Sequence, residues 1–366
     1  NNIEEHDINL QHPVNSSAGE VIVENNFLRN LIITQSGPVS VKRNGIQDPK
    51  GYARDLTINK SKSIDISDNR LRKIVIKNDT IVSVHGNVIY RNQSKSFNSF
   101  PGVYVENTTQ AKILSNNITQ RNYASFDAHS RGVELVNAAS SLVSDNKISV
   151  YSGGGNSPGD NIGVYIRGNN SKNIKIFDNT IKNTSNTDPR YGMTINNGDS
   201  IYVRKNTLNG INTDLSGRGI QVINPQDIIE VDSNRVSNYQ NYGLYLKVQS
   251  NKCKFRYNRI ENIKDLGIYL EGSNGILTNN TVTEIKAGDG INISANNTIV
   301  SENRFLNIQA GTGIIVNGPD NLVANNFVEA EGVGVAKGIS LRENGSGSQI
   351  VFNSINITGT DVVNGV

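Results

Sequence analysis

The sequence predicts an all-β solenoid, a right-handed single-stranded parallel β-helix of about 12–14 coils. Two short elements alternate along nearly the whole chain. The composition lacks what a large globular core is made from: Trp is absent, Met and Cys occur once each, and aromatics are 6% of 366 residues. Thin stacked layers of Ile, Val and Leu fit that composition better than a core built on aromatic anchors.

The first element is Asn-x-apolar. It reads Asn116-Asn117-Ile118, Asn146-Lys147-Ile148, Asn179-Thr180-Ile181, Asn206-Thr207-Leu208 and Asn234-Arg235-Val236, and continues at Asn258, Asn280, Asn303, Asn325 and Asn353. Weaker copies stand at Asn25, Asn44, Asn69 and Asn87. The second element is Gly-apolar-x-apolar, as in Gly102-Val103-Tyr104-Val105, Gly132-Val133-Glu134-Leu135 and Gly163-Val164-Tyr165-Ile166. It recurs at Gly192, Gly219, Gly243, Gly267, Gly290, Gly313 and Gly338.

Each glycine element reads as a period-2 strand with its apolar pair inward. Val133, Leu135, Val164 and Ile166 are therefore expected in the core, and Glu134 and Tyr165 on the outside. Asn tolerates the left-handed backbone of a sharp corner, and stacked Asn side chains can hydrogen-bond from coil to coil. Pairing with the coils above and below makes the strands parallel and the winding right-handed. An antiparallel β-sandwich would need hairpin turn signals at short intervals, which this alternation does not supply.

The chain carries 36 basic and 33 acidic residues, a net charge of +3, which is too balanced for a nucleic-acid binder. A lone Cys253 excludes an intrachain disulfide and, alternating with charged neighbours, reads as a small buried hydrophobe. No apolar run approaches the roughly 18 residues that span a membrane, so no membrane insertion is expected. Residues 1–366 read as a single domain that opens and closes inside coil-like sequence, a fragment of a longer chain. No cofactor is called for, and calcium is the one ion left open.

Function in a solenoid is expected where coils depart from their minimum length. From Asn to the next Gly the late coils take nine or ten residues, as in 234 to 243 and 280 to 290, whereas 116 to 132 takes 16 and 146 to 163 takes 17. The next two, 179 to 192 and 206 to 219, take 13 each. Four consecutive loops, 119–131, 149–162, 182–191 and 209–218, are thus expected to stack into a wall beside one strand face. Such loops on a rigid scaffold are where binding and catalysis concentrate.

The floor beside that wall is read from the outward strand positions Tyr104, Glu134, Tyr165, Thr194, Gln221, Tyr245, Tyr269 and Asn292, with Glu106, Arg167, Asn196, Lys247 and Glu271 in the next row. Tyr rings interleaved with carboxylate, amide and guanidinium groups suit a sugar chain. Rings pack against pyranose C–H faces and polar groups bind hydroxyls. The loops add Asp127, His129 and Arg131, then Asp160, then Asp188, Arg190 and Tyr191, then Asp214 and Arg218.

Equivalent positions one and two coils apart lie about 5 and 10 Å apart, which brackets the carboxyl separations of retaining and inverting glycosidases. Glu134 with Asp160 or Asp127 is the candidate pair. The other candidate chemistry is proton abstraction from a uronic acid by His129 or Tyr191, with Arg131, Arg167 or Arg218 neutralising the carboxylate.

The chain resembles the pectate-lyase-like parallel β-helix superfamily. Its segment Tyr123-Ala124-Ser125-Phe126-Asp127-Ala128-His129, followed by Gly132, is similar to the Asp-x-His-Gly element of bacteriophage pre-neck appendage and tailspike proteins. Ser130-Arg131 stands where that motif has its first Gly. The segment also resembles the Tyr-Gly-Phe-Asp-Pro-His element of mannuronan C5-epimerases, with Ala128 in place of Pro. The phage resemblance implies a homotrimer on a virion tail, extracellular, that binds and depolymerises a bacterial surface polysaccharide or teichoic acid. The epimerase resemblance implies catalytic roles for Tyr123, Asp127 and His129. Two other readings stay open: a secreted polysaccharide lyase or uronan epimerase, and a carbohydrate-binding adhesin without catalysis.

Overall fold

The computed structural model describes residues 7–11, 20–28, 30–34, 37–46, 55–93, 101–122, 129–152, 160–184, 190–211, 216–248, 253–332 and 336–359. The chain divides into two compact units, Asn1–Asp188 and Pro189–Val366. In each unit every coil contributes one strand to each of three parallel sheets, and each sheet holds seven strands of that unit. The expected parallel β-helix is thus the fold observed. The one helical element among the described residues is a single 3-10 turn, Glu343–Gly345. No described helix is long and apolar enough to cross a membrane.

The glycine elements form the first sheet. In the first unit its later strands are Lys73–Lys77, Val103–Glu106, Ser130–Val136 and Asn161–Arg167. Their register aligns Val103 with Val133 and Val164, and Val105 with Leu135 and Ile166, all fully buried. In the second unit, strands Arg190–Asn196, Gly217–Ile223, Tyr242–Val248 and Leu266–Ser273 align Met193, Ile220, Leu244 and Ile268 in the same way. The expected period-2 register holds in both units, and Cys253 is buried as a small core residue.

Glycine stands two residues into strands such as Ser130–Val136 and Asn161–Arg167 because there is no room for a side chain. A Cβ on Gly132 would stand 2.3 Å from Ile148 Cγ2 and 2.5 Å from the carbonyl oxygen of Gly163 in the next coil.

The asparagines form a buried ladder. Asn146 Oδ1 accepts both the main-chain N–H and the side-chain amide of Asn116, each at 3.0 Å. The Asn146 amide in turn donates to Asn179 Oδ1, Ile113 O and Ser144 O at 2.8–2.9 Å. The same pattern links Asn44, Asn69, Asn87 and Asn116. In the second unit it links Asn206, Asn234, Asn258, Asn280, Asn303, Asn326 and Asn353. The third-sheet ladder residue at the sequence pair Asn325-Asn326 is the second Asn.

One expectation is corrected here. The left-handed residue of the corner is the one before the ladder Asn: it is an Asn at Asn25, Asn279 and Asn325, as expected, but Ser115, Asp145, Lys205, Ser233, Tyr257, Glu302 and Phe352 take the same place with φ between 54° and 58°. Where the residue has little preference for that conformation, as at Lys205, Tyr257 and Phe352, the bonds of the ladder Asn that follows it hold the corner.

Candidate functional site

In the first unit, the outward row of the first sheet aligns Thr57, Val75, Tyr104, Glu134 and Tyr165. The neighbouring row aligns Lys77, Glu106, Val136 and Arg167. Glu134 faces outward yet is only 1% exposed, because two arginines close over it. Arg131 Nη1 donates to both carboxylate oxygens at 2.9 Å, and Arg167 Nε donates to Oε1 at 2.7 Å. Both guanidiniums also lie over the Tyr165 ring, at 4.9 and 5.9 Å from its centroid. Burial works against the charge on Arg167, but the bond and charge of Glu134 outweigh it and hold the guanidinium above its ordinary pKa.

Asp160 joins this cluster from the next coil. Its Oδ2 is 3.9 Å from Arg131 Nη2 and 3.9 Å from His129 Nδ1, and its side chain is 41% exposed. Its backbone N–H donates to His129 Nδ1 at 2.8 Å, which leaves the ring proton on Nε2. The cluster therefore joins a carboxylate locked between guanidiniums, a second carboxylate open to solvent, and an imidazole oriented as a donor. On its other side, Lys77 pairs with Glu106 at 3.1 Å and lies 5.2 Å from the Tyr104 ring centre. Burial, the hydrogen bond to Glu106 and the nearby carboxylates push the Tyr104 hydroxyl up to about 12.

In the second unit, the same face is aromatic. The outward row aligns Thr194, Gln221, Tyr245, Tyr269 and Asn292. Tyr245 and Tyr269 stack one coil apart, with centroids 5.2 Å apart and planes inclined by 16°. Tyr242 packs edge-on against Tyr245 at 5.3 Å and tilted against Tyr269 at 5.9 Å. Arg218 is set among these rings, 3.9 Å from the Tyr245 centroid, 5.1 Å from that of Tyr242 and 5.9 Å from that of Tyr191. Its Nη1 donates to Gln221 Oε1 at 2.5 Å. Lys247 and Glu271 form an ion pair at 2.8 Å in the adjoining row.

Comparison with known proteins places the architecture. Residues 218–365 match the family model described as the right handed beta helix region. The solved Dettilon tailspike protein is 14% identical over 83% of this chain and 56% of its own, with a TM-score of 0.38. This chain thus spans little more than half the length of that protein. The siphovirus 9NA tailspike receptor binding domain is 8% identical over 100% of this chain and 74% of its own, with a TM-score of 0.41. The A-module of a mannuronan C-5 epimerase from Azotobacter vinelandii is 10% identical over 91% of both chains, with a TM-score of 0.39. No curated protein sequence matches. At these identities no residue role is carried across.

The expected site residues fall into three groups. His129, Arg131, Glu134, Asp160, Tyr165 and Arg167 come together in the first unit, with Tyr104 aligned beside Glu134. Tyr191, Arg218, Gln221, Tyr245, Lys247 and Tyr269 lie on one face of the second. Tyr123, Asp127, Asp188 and Asp214 lie outside the described residues, as does much of the expected wall. Its flanks prove shorter as loops than expected, since residues through Asn122 and from Ser130 onward belong to strands.

Two placements differ from expectation. Arg190, expected on the binding surface, is only 2% exposed and donates to the Ile211 carbonyl at 3.2 Å. Glu134 holds its outward register but is enclosed. Among the described residues no three His, Cys, Asp or Glu side chains come together as metal ligands.

Tyr242 is the site residue that sequence reading missed. Strict alternation places the residue before each strand glycine inward. The ladder skips the glycine pairs, however, and aligns Tyr191, Arg218 and Tyr242 as a row that turns out beside the outward one. The signal was an aromatic or Arg immediately before the glycine in three successive coils.

Proposed function

We propose that this protein is a phage tailspike- or appendage-type β-helix that holds a bacterial surface polysaccharide or teichoic acid along the outward face of its glycine-strand sheet. The observation that carries this reading is the cluster of Tyr242, Tyr245 and Tyr269, with Arg218 set over the first two. Partly exposed rings, stacked on one another at the coil spacing, present a strip of apolar edges and hydroxyls along which a sugar chain can lie. The phage setting, with its virion-tail location and trimeric assembly, rests on the resemblance of residues 123–132. Retention of the protein in gels cast with capsule, O-chain or teichoic-acid fractions tests the reading. Retention by none of them overturns it.

Cleavage is assigned to the first-unit cluster. Asp160 is its solvent-open carboxylate and His129 Nε2–H a donor, which is the equipment of acid–base cleavage. Following reducing ends together with the ultraviolet absorbance of unsaturated uronates separates the chemistries. Lyases give both signals, hydrolases the first alone. The full engagement of Glu134 by arginine favours one second reading, a binding protein without catalysis, for which neither signal appears.

A further inference from the structure

Arg218 differs from the other arginines of these two faces. Arg131 and Arg167 both pair with Glu134, and Arg190 is buried against a carbonyl. Arg218 is half-buried, and no carboxylate lies within ion-pairing distance of it among the described residues. Its contacts are the faces of Tyr191, Tyr242 and Tyr245 and the amide oxygen of Gln221. The nearest acid in the adjoining row, Glu271, is taken by Lys247.

Tyrosine faces attract a guanidinium but do not neutralise it. They also strip part of its water, which raises the strength of any ionic partner that arrives. The frame holds the guanidinium plane still, so its remaining N–H edge meets a planar or tetrahedral anion with little further ordering. The stacked Tyr245 and Tyr269 rings lie immediately along the sheet from it, where the sugar bearing that anion would rest.

Building on the carbohydrate reading above, we infer that the bound polymer is anionic, and that Arg218 reads the carboxylate or phosphate of an acidic sugar that lies against the exposed edges of Tyr245 and Tyr269. The group fits a uronate or a phosphodiester-linked polymer and leaves a neutral glucan without a partner for its charge.

The test measures binding of the 366-residue protein to polygalacturonate, alginate, polyglycerol phosphate, dextran and pullulan by affinity electrophoresis and calorimetry. At least one anionic polymer is expected to bind and the neutral ones not, and whether the uronates or the polyglycerol phosphate bind identifies the anion. Arg218→Gln should weaken that binding by roughly tenfold or more, the order of one charge-assisted hydrogen bond. Arg218→Lys should fall between, and its retained charge guards against misreading a folding defect, which circular dichroism checks directly. Arg304→Gln, at an exposed arginine of the third sheet, should bind as the wild type does. Neutral polymers bound as tightly as anionic ones, with Arg218→Gln silent, would overturn the inference and leave the carbohydrate reading standing. Equal losses in Arg304→Gln and Arg218→Gln would reduce the effect to diffuse charge and also overturn it. Binding to no polymer at all would overturn both.

Discussion

Replacing Glu134 by Gln separates architecture from chemistry in the first-unit cluster. The carboxylate accepts from two guanidinium nitrogens, Arg131 Nη1 and Arg167 Nε, through three contacts of 2.7–2.9 Å, while 1% exposed. Gln keeps one acceptor oxygen and turns the other position into a donor that faces Arg131 Nη1. Charge-assisted bonds contribute about 1.5–3 kcal/mol each in net terms, so a simple sum would approach 4–9 kcal/mol. That sum is too large, because the guanidiniums retain water. The side chain of Arg131 is 19% exposed and that of Arg167 40%, and both can rehydrate when the carboxylate goes. The expected loss of stability in Glu134→Gln is therefore about 2–3 kcal/mol.

Urea unfolding of the single variants and of Glu134→Gln with Arg167→Gln supplies the coupling, expected at about 1–2 kcal/mol. Asp160→Asn provides the contrast. Its contacts are 3.9 Å long and its side chain is 41% exposed, so its stability should change by under about 0.5 kcal/mol. If Asp160 is the reacting carboxylate, turnover should fall by about a hundredfold or more at unchanged polymer affinity. An unchanged unfolding midpoint in Glu134→Gln, with no coupling to Arg167, would refute the picture of a carboxylate clamped by arginine.

Three further outcomes are expected. Tyr245→Ala should weaken polymer binding by about 1–3 kcal/mol with little change in thermal unfolding, since the ring is part-exposed and its partners Tyr242 and Tyr269 remain; calorimetry reads this directly. Asn146→Ala removes five hydrogen bonds in a sealed corner and should destabilise the protein by about 4 kcal/mol in chemical denaturation. Asp79 is 4% exposed, and burial lifts its carboxyl from 3.8 to about 6 against the backbone N–H bonds that favour ionisation. A raised folded-state value means that stability is fullest below pH 4 and falls as pH rises towards 6, so Asp79→Asn should gain about 2–3 kcal/mol at pH 7 and almost nothing at pH 4. A gain of equal size at both values would show that ionisation is not the cause.

Much of the fold was legible because a β-helix forces neighbouring coils into register. Val133, Leu135, Val164 and Ile166 occupy the core positions that the glycine elements imply, since a one-residue slip would expose every one of them. The asparagine ladder was legible for a similar reason, as each Asn satisfies buried main-chain groups of the coil before it. The corner conformation was not. Tyr257 and Phe352 adopt positive φ against their own preference, and the bonds made by the ladder Asn that follows each of them explain it. Nor was the closure of Glu134 legible, because it needs Arg131 from its own strand and Arg167 from the next coil to converge on one carboxylate.

The two outward faces show how one repeat yields different chemistry. The coil places like positions side by side, so a row read along the sheet is set by which residue each coil contributes. In the first unit, Glu134 between Tyr104 and Tyr165 draws Arg131 and Arg167 inward and spends their charge within the protein. In the second unit, the place before the strand glycine, where Arg131 stands in the first, is taken by Tyr191, Arg218 and Tyr242, and the outward row carries Gln221 and two tyrosines with no acid among them. A neutral amide and aromatic faces leave the charge of Arg218 without a carboxylate partner among the described residues, which is the place the acid of a bound polymer would take. A carboxylate introduced at Gln221 should therefore close the second face as Glu134 closes the first. Gln221→Glu should raise stability by about 1 kcal/mol in urea unfolding while abolishing binding of an anionic polymer. Retained binding in that variant would mean that the polymer does not engage Arg218.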